Sequence, residues 1–526
     1  MRVSVGCRRV NPAFLLLAFV LGACGDRSGP ERTFVVRGVI EGFYGSPYSQ
    51  ADRLRLIRFI GARGMNTYVY APKNDPKQRS DWRVPYETDE LAQFAELAAA
   101  GERVGVRFVF AISPGLSYDP DDPNDFALLA TKLNAVHAAG AGGVALLFDD
   151  LLGPAPPAVD PMVQATLLER TAALVASFTP AVPFWFISNI YAGPIADLEA
   201  ARGFYGGLYP FPPRDYFAAY ASVLPLDVPT MWTGLGVFAS TIHSSDAAAF
   251  RSFAGGRQVI VWDNFPVNDS LATSLFLGPY RGRDADLPGT IDGILLNLMT
   301  QPAAGLVAVA TGAAYMHDTV AYDPGRAFDD AVDDVGGAGA AALHLFALQQ
   351  DGHPALEGAT PAVELGRRIA AWDAAAGSSA GASSALAELR SYLSALAANR
   401  DDLQHTIDDP QLLEDIDPWS QKLSALTGAA LTGLDATLGG ASAADYQRQR
   451  DAANASPYLV AANGVTPSIA TLIGGTPNPP VDRFADLFAA IDRRLPPATS
   501  AARPLGSKAE PRIERRPSGL VTRPLP

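Results

Sequence analysis

The sequence predicts an α/β protein, a (β/α)8 TIM barrel followed by an α-helical bundle domain. Three observations support this prediction. Eight short apolar runs alternate with helical patterns, the runs are nearly continuous in apolar residues, and the second part of the chain shows helical patterns alone. Near-continuous apolar strands are typical of parallel sheets that are buried on both faces. The chain has 526 residues, which is enough for one domain of barrel size and a second domain.

The eight predicted strands follow one another through the first part of the chain. Between them, apolar residues recur every three to four positions, for example over residues 51–64 and 90–105, and this spacing predicts amphipathic helices. Eight strand–helix units are therefore expected, and the barrel is predicted over residues 34–318. The strands are predicted at residues 34–45, 66–72, 107–115, 143–150, 183–191, 228–234, 258–264 and 291–298.

The second part of the chain, residues 322–495, is rich in Ala and Leu and has helical periodicity without further strand-like runs. Segments such as residues 339–350 and 385–403 read as amphipathic helices, so we expect a helical bundle domain packed beside the barrel. Residues 496–526 are rich in Pro, Ala and Arg, a composition typical of a disordered tail.

Residues 1–23 are predicted to be a lipoprotein signal peptide, and residues 24–33 a linker. Three arginines precede an apolar stretch that is too short to span a membrane as a stable helix. The stretch ends in Leu-Gly-Ala directly before Cys24, which is similar to a bacterial lipobox; a plain secretory signal is the alternative. A lipid on Cys24 would anchor the protein to a membrane of the bacterial cell envelope, at a periplasmic or outer surface. Removal of Cys7 with the signal would leave no disulfide, so the fold is expected to rest on its core.

The composition argues against two classes of function. The formal net charge of −14 at pH 7 disfavours general nucleic-acid binding, because a polyanion would be repelled. The six histidines form no HExxH-type ligand pair. The sequence therefore predicts no metal and no cofactor.

Polar and aromatic side chains gather where the predicted strands end, which is where barrels of this kind build their sites. Aromatic rings stack on the C–H faces of sugars, while carboxylates and amides pair with hydroxyls, so the set suits an uncharged polyhydroxylated ligand. The residues are Gly42, Phe43 and Tyr44 after the first strand, Lys73 after the second, Asp149 and Asp150 after the fourth, Tyr191 after the fifth, Trp232 in the sixth, Trp262, Asn264 and Asp269 at and beyond the seventh, and Asn297 at the end of the eighth.

Each of these residues also has a purely structural interpretation. The two tryptophans could belong to the core, and the two asparagines could cap the helices that follow them. Lys73 could be a solvated charge, Gly42 could serve turn geometry, and the aspartate pair could be a solvated strand end. Because all of them lie at the same end of the predicted strands, a functional site is favoured over these separate structural roles.

The two neighbouring carboxylates restrict the possible chemistry. The Cα atoms of Asp149 and Asp150 lie about 3.8 Å apart along the chain. Two carboxylates that flank a sugar bond stand roughly 5–5.5 Å apart in retaining glycosidases and roughly 6.5–9.5 Å apart in inverting ones. A neighbouring pair fits a third arrangement better, in which one acid protonates the leaving oxygen and the other orients a nucleophile of the substrate, such as a 2-acetamido group.

Seven segments, in this order, strongly resemble the catalytic domain of glycoside hydrolase family 84. This family contains O-GlcNAcases and bacterial β-N-acetylglucosaminidases, some of them described as hyaluronidases. The resemblance covers the barrel, residues 34–318. The segments are GVIEGFYGSPYSQADR, GMNTYVYAPKNDP, FVFAISPGL, ALLFDDL, MWTG, VIVWDN with a following ND, and LFLGPYRGR.

The resemblance implies exo-hydrolysis of terminal β-linked N-acetylglucosamine (GlcNAc), with retention, through an oxazoline intermediate. It implies a GlcNAc-containing glycan or glycoconjugate as partner and needs no cofactor. In this reading Asp149 orients the acetamide, and Asp150 is the general acid and base. The implied substrate-binding residues are Gly42 and Lys73 at the sugar, Asn264, Asp269 and Asn297 at its hydroxyls or N-acetyl group, Tyr191 near the acetamide oxygen, and Trp262 in the wall of the acetyl pocket.

Three positions depart from the family pattern. Ile187-Ser188-Asn189 stand where Cys-Pro-Thr is common, Asn74 stands where an acid is frequent, and Leu298-Met299 stand where Pro-Asn is usual. The carboxylates and the lysine are present, so activity is expected. Two rival functions remain open: an endo-acting, hyaluronidase-like glycosidase, and a non-catalytic glycan-binding lipoprotein.

Overall fold

The computed structural model describes residues 33–151, 157–193, 211–377, 379–463 and 481–495. Eight parallel strands close into a barrel in sequence order, and β8 pairs with β1. The predicted (β/α)8 barrel is confirmed. The strands are β1 (Val36–Glu41), β2 (Thr67–Tyr70), β3 (Arg107–Ile112), β4 (Val144–Leu147), β5 (Phe184–Ile187), β6 (Thr230–Trp232), β7 (Val259–Asp263) and β8 (Gly293–Asn297).

Alternate residues of the strands face two different apolar layers. One set packs within the barrel and includes Val69, Leu147 and Met231. The other set packs against the surrounding helices. Both faces of each strand are therefore buried, which explains the near-continuous apolar runs. Trp232 belongs to the outer layer, where its ring stacks on Phe250 at 5.0 Å between centroids.

Within the described residues, seven α-helices accompany the barrel strands, and one of the eight expected strand–helix units has no α-helix. Between β7 and β8, residues 264–292 are described throughout and contain two 3-10 turns but no α-helix. Prolines and glycines such as Pro266, Gly278 and Pro279 interrupt this segment, which opposes helix formation. The helices are α1 (Gln50–Gly61), α2 (Thr88–Val104), α3 (Pro123–Ala138), α4 (Pro161–Ala176), α5 (Pro213–Val223), α6 (Ser244–Phe253) and α7 (Gly305–His317).

A helical region follows the barrel. Its longest helices, α11 and α12, pack against one another, and α12 also packs on α13 and α14. A two-residue antiparallel pair, β9 (Ala462–Asn463) and β10 (Val481–Asp482), corrects the expectation of helices alone. The helices are α8 (Pro324–Gly336), α9 (Ala340–Ala347), α10 (Val363–Ala374), α11 (Ser379–Thr406), α12 (Pro410–Thr437), α13 (Ala443–Asn454) and α14 (Arg483–Asp492).

The helical region is hydrogen-bonded to the barrel near the carboxyl ends of the last strands. The Asp415 carboxylate accepts hydrogen bonds from the main-chain amides of Ala303 (2.6 Å) and Ala304 (3.0 Å), directly before α7. The Trp419 indole donates to the carbonyl of Thr273 at 2.9 Å, within the β7–β8 segment. The helical region therefore supports the long loop that replaces the missing helix.

Several predicted segments lie outside the described residues. They are the signal peptide, all of the linker except residue 33, and the tail at residues 496–526. Within the described part of the chain, no helix combines the length and the apolar composition needed to cross a membrane.

Candidate active site

A cavity of about 280 Å³ opens at the carboxyl ends of the barrel strands. All nine residues that the sequence predicts as catalytic or substrate-binding line it. They come from the ends of six strands or the loops after them, and the barrel brings them together because parallel strands end at one rim. The lining consists of Gly42, Tyr44, Lys73, Asp149, Asp150, Ile187, Tyr191, Thr233, Val237, Phe238, Trp262, Asn264, Val267, Asp269, Ser270 and Asn297.

Asp149 lies at the floor of the cavity, two residues after β4 ends. Its side chain is buried and forms an ion pair with the ammonium of Lys73, which is buried as well. The ammonium also lies 5.0 Å from the ring centroid of Trp262. The Oδ1 atom of Asp149 is buried and has no hydrogen-bond partner among the described residues. A buried acceptor of this kind is costly unless a ligand donates to it.

Asp150 has different surroundings and an unusual backbone. Its φ of +52° lies in the left-handed region, which non-glycine residues adopt rarely and aspartate more readily than most. The Tyr191 hydroxyl donates to its Oδ1 at 2.5 Å, and the Tyr44 hydroxyl donates to its Oδ2 at 2.9 Å. Burial, followed by the charge of Asp150, raises the pKa of Tyr44, so this phenol remains a donor at neutral pH. The two acids are therefore held by different partners, one by an ammonium and the other by two phenols.

Gly42, Trp262 and two asparagines form one connected wall. The Gly42 amide donates to Oδ1 of Asn297 at 3.1 Å, and Nδ2 of Asn297 donates to Oδ1 of Asn264 at 2.8 Å. Nδ2 of Asn264 donates in turn to the carbonyl of Val237 at 2.7 Å. The asparagines thus bind one another across β7 and β8, and capping is not their role. Gly42 is needed for close approach, because a Cβ there would lie 2.3 Å from Cζ2 of Trp262.

Asp269 lies in the first 3-10 turn of the β7–β8 segment. Its carboxylate accepts hydrogen bonds from the amide of Tyr44 at 2.9 Å and from the amide of Ser270 at 2.6 Å. Burial raises the pKa of Asp269, and these two hydrogen bonds act in the opposite direction. The bond to Tyr44 joins the loop after β1 to the loop after β7 across the cavity mouth.

The departures from the family pattern leave the cavity intact. Ser188 and Asn189 are buried below the rim, where Ser188 Oγ lies 2.9 Å from the Tyr220 hydroxyl and Asn189 accepts from Gln164 at 3.0 Å. They tie β5 to the helices α4 and α5, and Tyr191 still lines the cavity. Asn74 is exposed and outside the lining.

Sequence reasoning overlooked part of the lining. Tyr44 is among the strand-end candidates of the sequence, but its role is not predictable there, because its hydrogen bond to Asp150 joins positions 106 residues apart. Val237 and Phe238, in the loop after β6, are ordinary apolar residues without a chemical signature. Among the described residues, no group of His, Cys, Asp and Glu side chains has the arrangement of a metal site.

The site has the composition of a glycoside hydrolase site at the rim of a (β/α)8 barrel. It combines two carboxylates that have separate partners with amide side chains and an indole. A model of the beta-N-acetylglucosaminidase family matches residues 37–348, and the chain belongs to that family. The resemblance to glycoside hydrolase family 84 is thereby confirmed.

Known proteins agree with this assignment. The chain is 31% identical over 308 residues to the protein O-GlcNAcase of Mus musculus, which covers 58% of this chain and 32% of the mouse protein. The match thus spans about a third of the length of that relative. Among solved structures, the fold is similar to a variant of the O-GlcNAc hydrolase of Thermobaculum terrenum, with a TM-score of 0.71, 22% identity, and coverage of 88% of this chain and 94% of that chain. It is also similar to CpGH84B, with a TM-score of 0.69, 25% identity, and coverage of 88% and 77%.

Proposed function

We propose that this protein is a retaining exo-β-N-acetylglucosaminidase that hydrolyses terminal β-linked GlcNAc by substrate-assisted catalysis. One observation carries the proposal: Asp149 and Asp150 are neighbours in one cavity but have different partners. Neighbouring acids cannot easily act from opposite faces of a sugar ring, so the nucleophile is supplied by the substrate.

In the first step, Asp150 donates a proton to the glycosidic oxygen while the bond from this oxygen to C1 breaks. The carbonyl oxygen of the 2-acetamido group attacks C1 and forms an oxazoline. Oδ1 of Asp149, which has no hydrogen-bond partner among the described residues, accepts a hydrogen bond from the N–H of the acetamide. This bond orients the acetamide and stabilises the positive charge that develops on it. Lys73 keeps the other carboxylate oxygen in place.

In the second step, water opens the oxazoline. Asp150, now deprotonated, takes a proton from the water while the water oxygen attacks C1. The carbonyl oxygen then leaves C1, which restores the acetamide. Two displacements at C1 regenerate the β configuration. Tyr44 and Tyr191 keep the Asp150 carboxylate fixed in both steps.

The size of the cavity supports exo action. A volume of about 280 Å³ lies just below the about 300–1,000 Å³ that ligand pockets usually span. It suits one sugar ring with its acetyl group, whereas an endo-acting enzyme needs room for sugars on both sides of the cleaved bond.

Three aryl β-glycosides that carry N-acetyl, N-fluoroacetyl and N-trifluoroacetyl groups test the mechanism. Fluorine makes the carbonyl oxygen a weaker nucleophile, so kcat is expected to fall stepwise through the series. Product analysis by proton NMR is expected to show the β anomer first. Equal rates across the series would contradict substrate assistance. Formation of the α anomer first would contradict retention. Binding of GlcNAc without turnover would favour the glycan-binding alternative.

We also propose that Cys24 is lipidated and anchors the enzyme in the bacterial cell envelope. The Leu-Gly-Ala-Cys sequence after an apolar stretch supports this. In a bacterial host, the wild type should sediment with membranes and the variant Cys24→Ser should not, while Cys7→Ser serves as the matched control. A wild type found entirely in the soluble fraction would contradict the anchor.

A further inference from the structure

Arg79 lies in the segment between β2 and α2 and contacts the main chain of Asp150. Its side chain is buried, with an exposed fraction of 7%. One terminal nitrogen donates to the main-chain carbonyl of Asp150 at 2.8 Å, and the other donates to Oγ of Ser113, at the end of β3, at 3.3 Å. The guanidinium therefore joins the segments that follow three consecutive strands, β2, β3 and β4, although Arg79 does not line the cavity.

The carbonyl that Arg79 holds belongs to the residue with the left-handed backbone. A non-glycine residue at φ of +52° occupies a conformation that costs free energy and persists only when its surroundings hold it. The hydrogen bond from Arg79 opposes relaxation of this backbone. The phenols of Tyr44 and Tyr191 hold the carboxylate of the same residue. Asp150 is thus fixed at both its main chain and its side chain.

We propose that Arg79 is a positioning residue for the general acid: it holds the main chain of Asp150 in the conformation that directs its carboxylate towards the glycosidic oxygen. The inference rests on the proposed function, in which Asp150 supplies the proton. Loss of Arg79 should therefore impair proton donation more than binding of the sugar. A role in folding alone would lower every rate by the same factor.

The test compares Arg79→Met with the wild type on two aryl β-N-acetylglucosaminides. The 2,4-dinitrophenyl glycoside needs almost no protonation of its leaving group, whereas the 4-methoxyphenyl glycoside needs it fully. We expect Arg79→Met to lose about 100-fold in kcat on the methoxyphenyl substrate, within the about 10²–10⁴-fold that general acid catalysis contributes. On the dinitrophenyl substrate, a loss of no more than about threefold is expected, and KM should change little on both.

Arg83→Met is the matched control. Arg83 lies in the same segment, and its guanidinium is bound to Asp125 and Ser117 rather than to the Asp150 carbonyl. Its loss should lower the two rates by a common factor. If Arg79→Met does not fold, Arg79→Lys carries the test, because lysine keeps the cation and can reach one acceptor; the same bias towards the methoxyphenyl substrate is expected, with a smaller factor.

The outcomes separate this inference from the proposed function. Equal losses on both substrates for the Arg79 variants, or no loss, would overturn the positioning role while leaving the glycosidase intact. A wild type that cleaves neither substrate would overturn the proposed function, and the inference with it.

Discussion

Substitution of Gly42 by alanine tests how closely the cavity wall is packed. A Cβ at this position would lie 2.3 Å from Cζ2 and 3.0 Å from Cη2 of Trp262. Carbon atoms in contact are normally about 3.5–4.0 Å apart, so the indole or the β1 loop has to move by about 1 Å or more. Overpacking of this size costs about 1–3 kcal/mol of stability.

Gly42→Ala should lower activity as well as stability. The Gly42 amide binds Asn297, and Trp262 lies beside the Lys73 ammonium, so a shift of about 1 Å displaces groups on both sides of the sugar site. Misplacement of catalytic groups by about 1 Å can lower the rate about 100-fold. We therefore expect kcat/KM on an aryl β-N-acetylglucosaminide to fall about 100-fold, while the protein remains folded.

Gly305→Ala is the matched control for this variant. Gly305 begins α7, and a Cβ there would find its nearest neighbour, Cε of Met299, at 3.7 Å, an ordinary contact. This variant should keep the kcat/KM of the wild type and its melting temperature. If Gly42→Ala also retained kcat/KM within about threefold, the reasoning from close packing would be refuted.

Two further predictions concern buried charges. Lys73→Met leaves the buried Asp149 without its cation, and loss of one partner of such a pair typically costs about 3–5 kcal/mol; urea unfolding should show this loss, and the double variant Lys73→Met/Asp149→Asn should regain stability but not activity. A single variant as stable as the wild type would contradict the importance of the pair. Burial raises the pKa of the Asp415 carboxyl from 3.8 to about 6, so the folded state binds this proton more tightly than the unfolded state. The contribution of Asp415 to stability is therefore fully present below about pH 4 and is lost as the pH rises through about 6. Asp415→Asn cannot ionise, so its stability relative to the wild type should be higher at pH 7 than at pH 4 by roughly 1–3 kcal/mol in urea unfolding, and an equal difference at both pH values would contradict this.

The barrel and the position of its site were predictable from the sequence because both follow from local patterns. Apolar runs mark the strands, and parallel strands bring their carboxyl ends to one rim, so residues such as Lys73 and Asp149 could be grouped before their contacts were known. The family motifs then assigned roles to them.

The contacts between side chains could not be predicted in this way. The bond between Asn264 and Asn297 depends on the positions of β7 and β8 in the barrel, 33 residues apart along the chain. Arg79 and Asp150 are separated by 71 residues, and nothing in the local sequence indicates that an arginine holds a main-chain carbonyl. The absence of an α-helix between β7 and β8 was not predicted, because eight barrel strands suggest eight helices. The prolines and glycines of this segment oppose a helix there.

The central claim is that Asp149 orients the acetamide and Asp150 moves the proton, and the dependence of rate on the leaving group tests it most directly. The variants Asp149→Asn and Asp150→Asn are compared with the wild type on a series of aryl β-N-acetylglucosaminides with leaving groups of increasing pKa. Asp150→Asn should lose little with the most acidic phenols and progressively more as the phenol becomes less acidic, whereas Asp149→Asn should lose a similar factor throughout. If the two variants responded identically to the leaving group, the assignment of the two roles would be wrong.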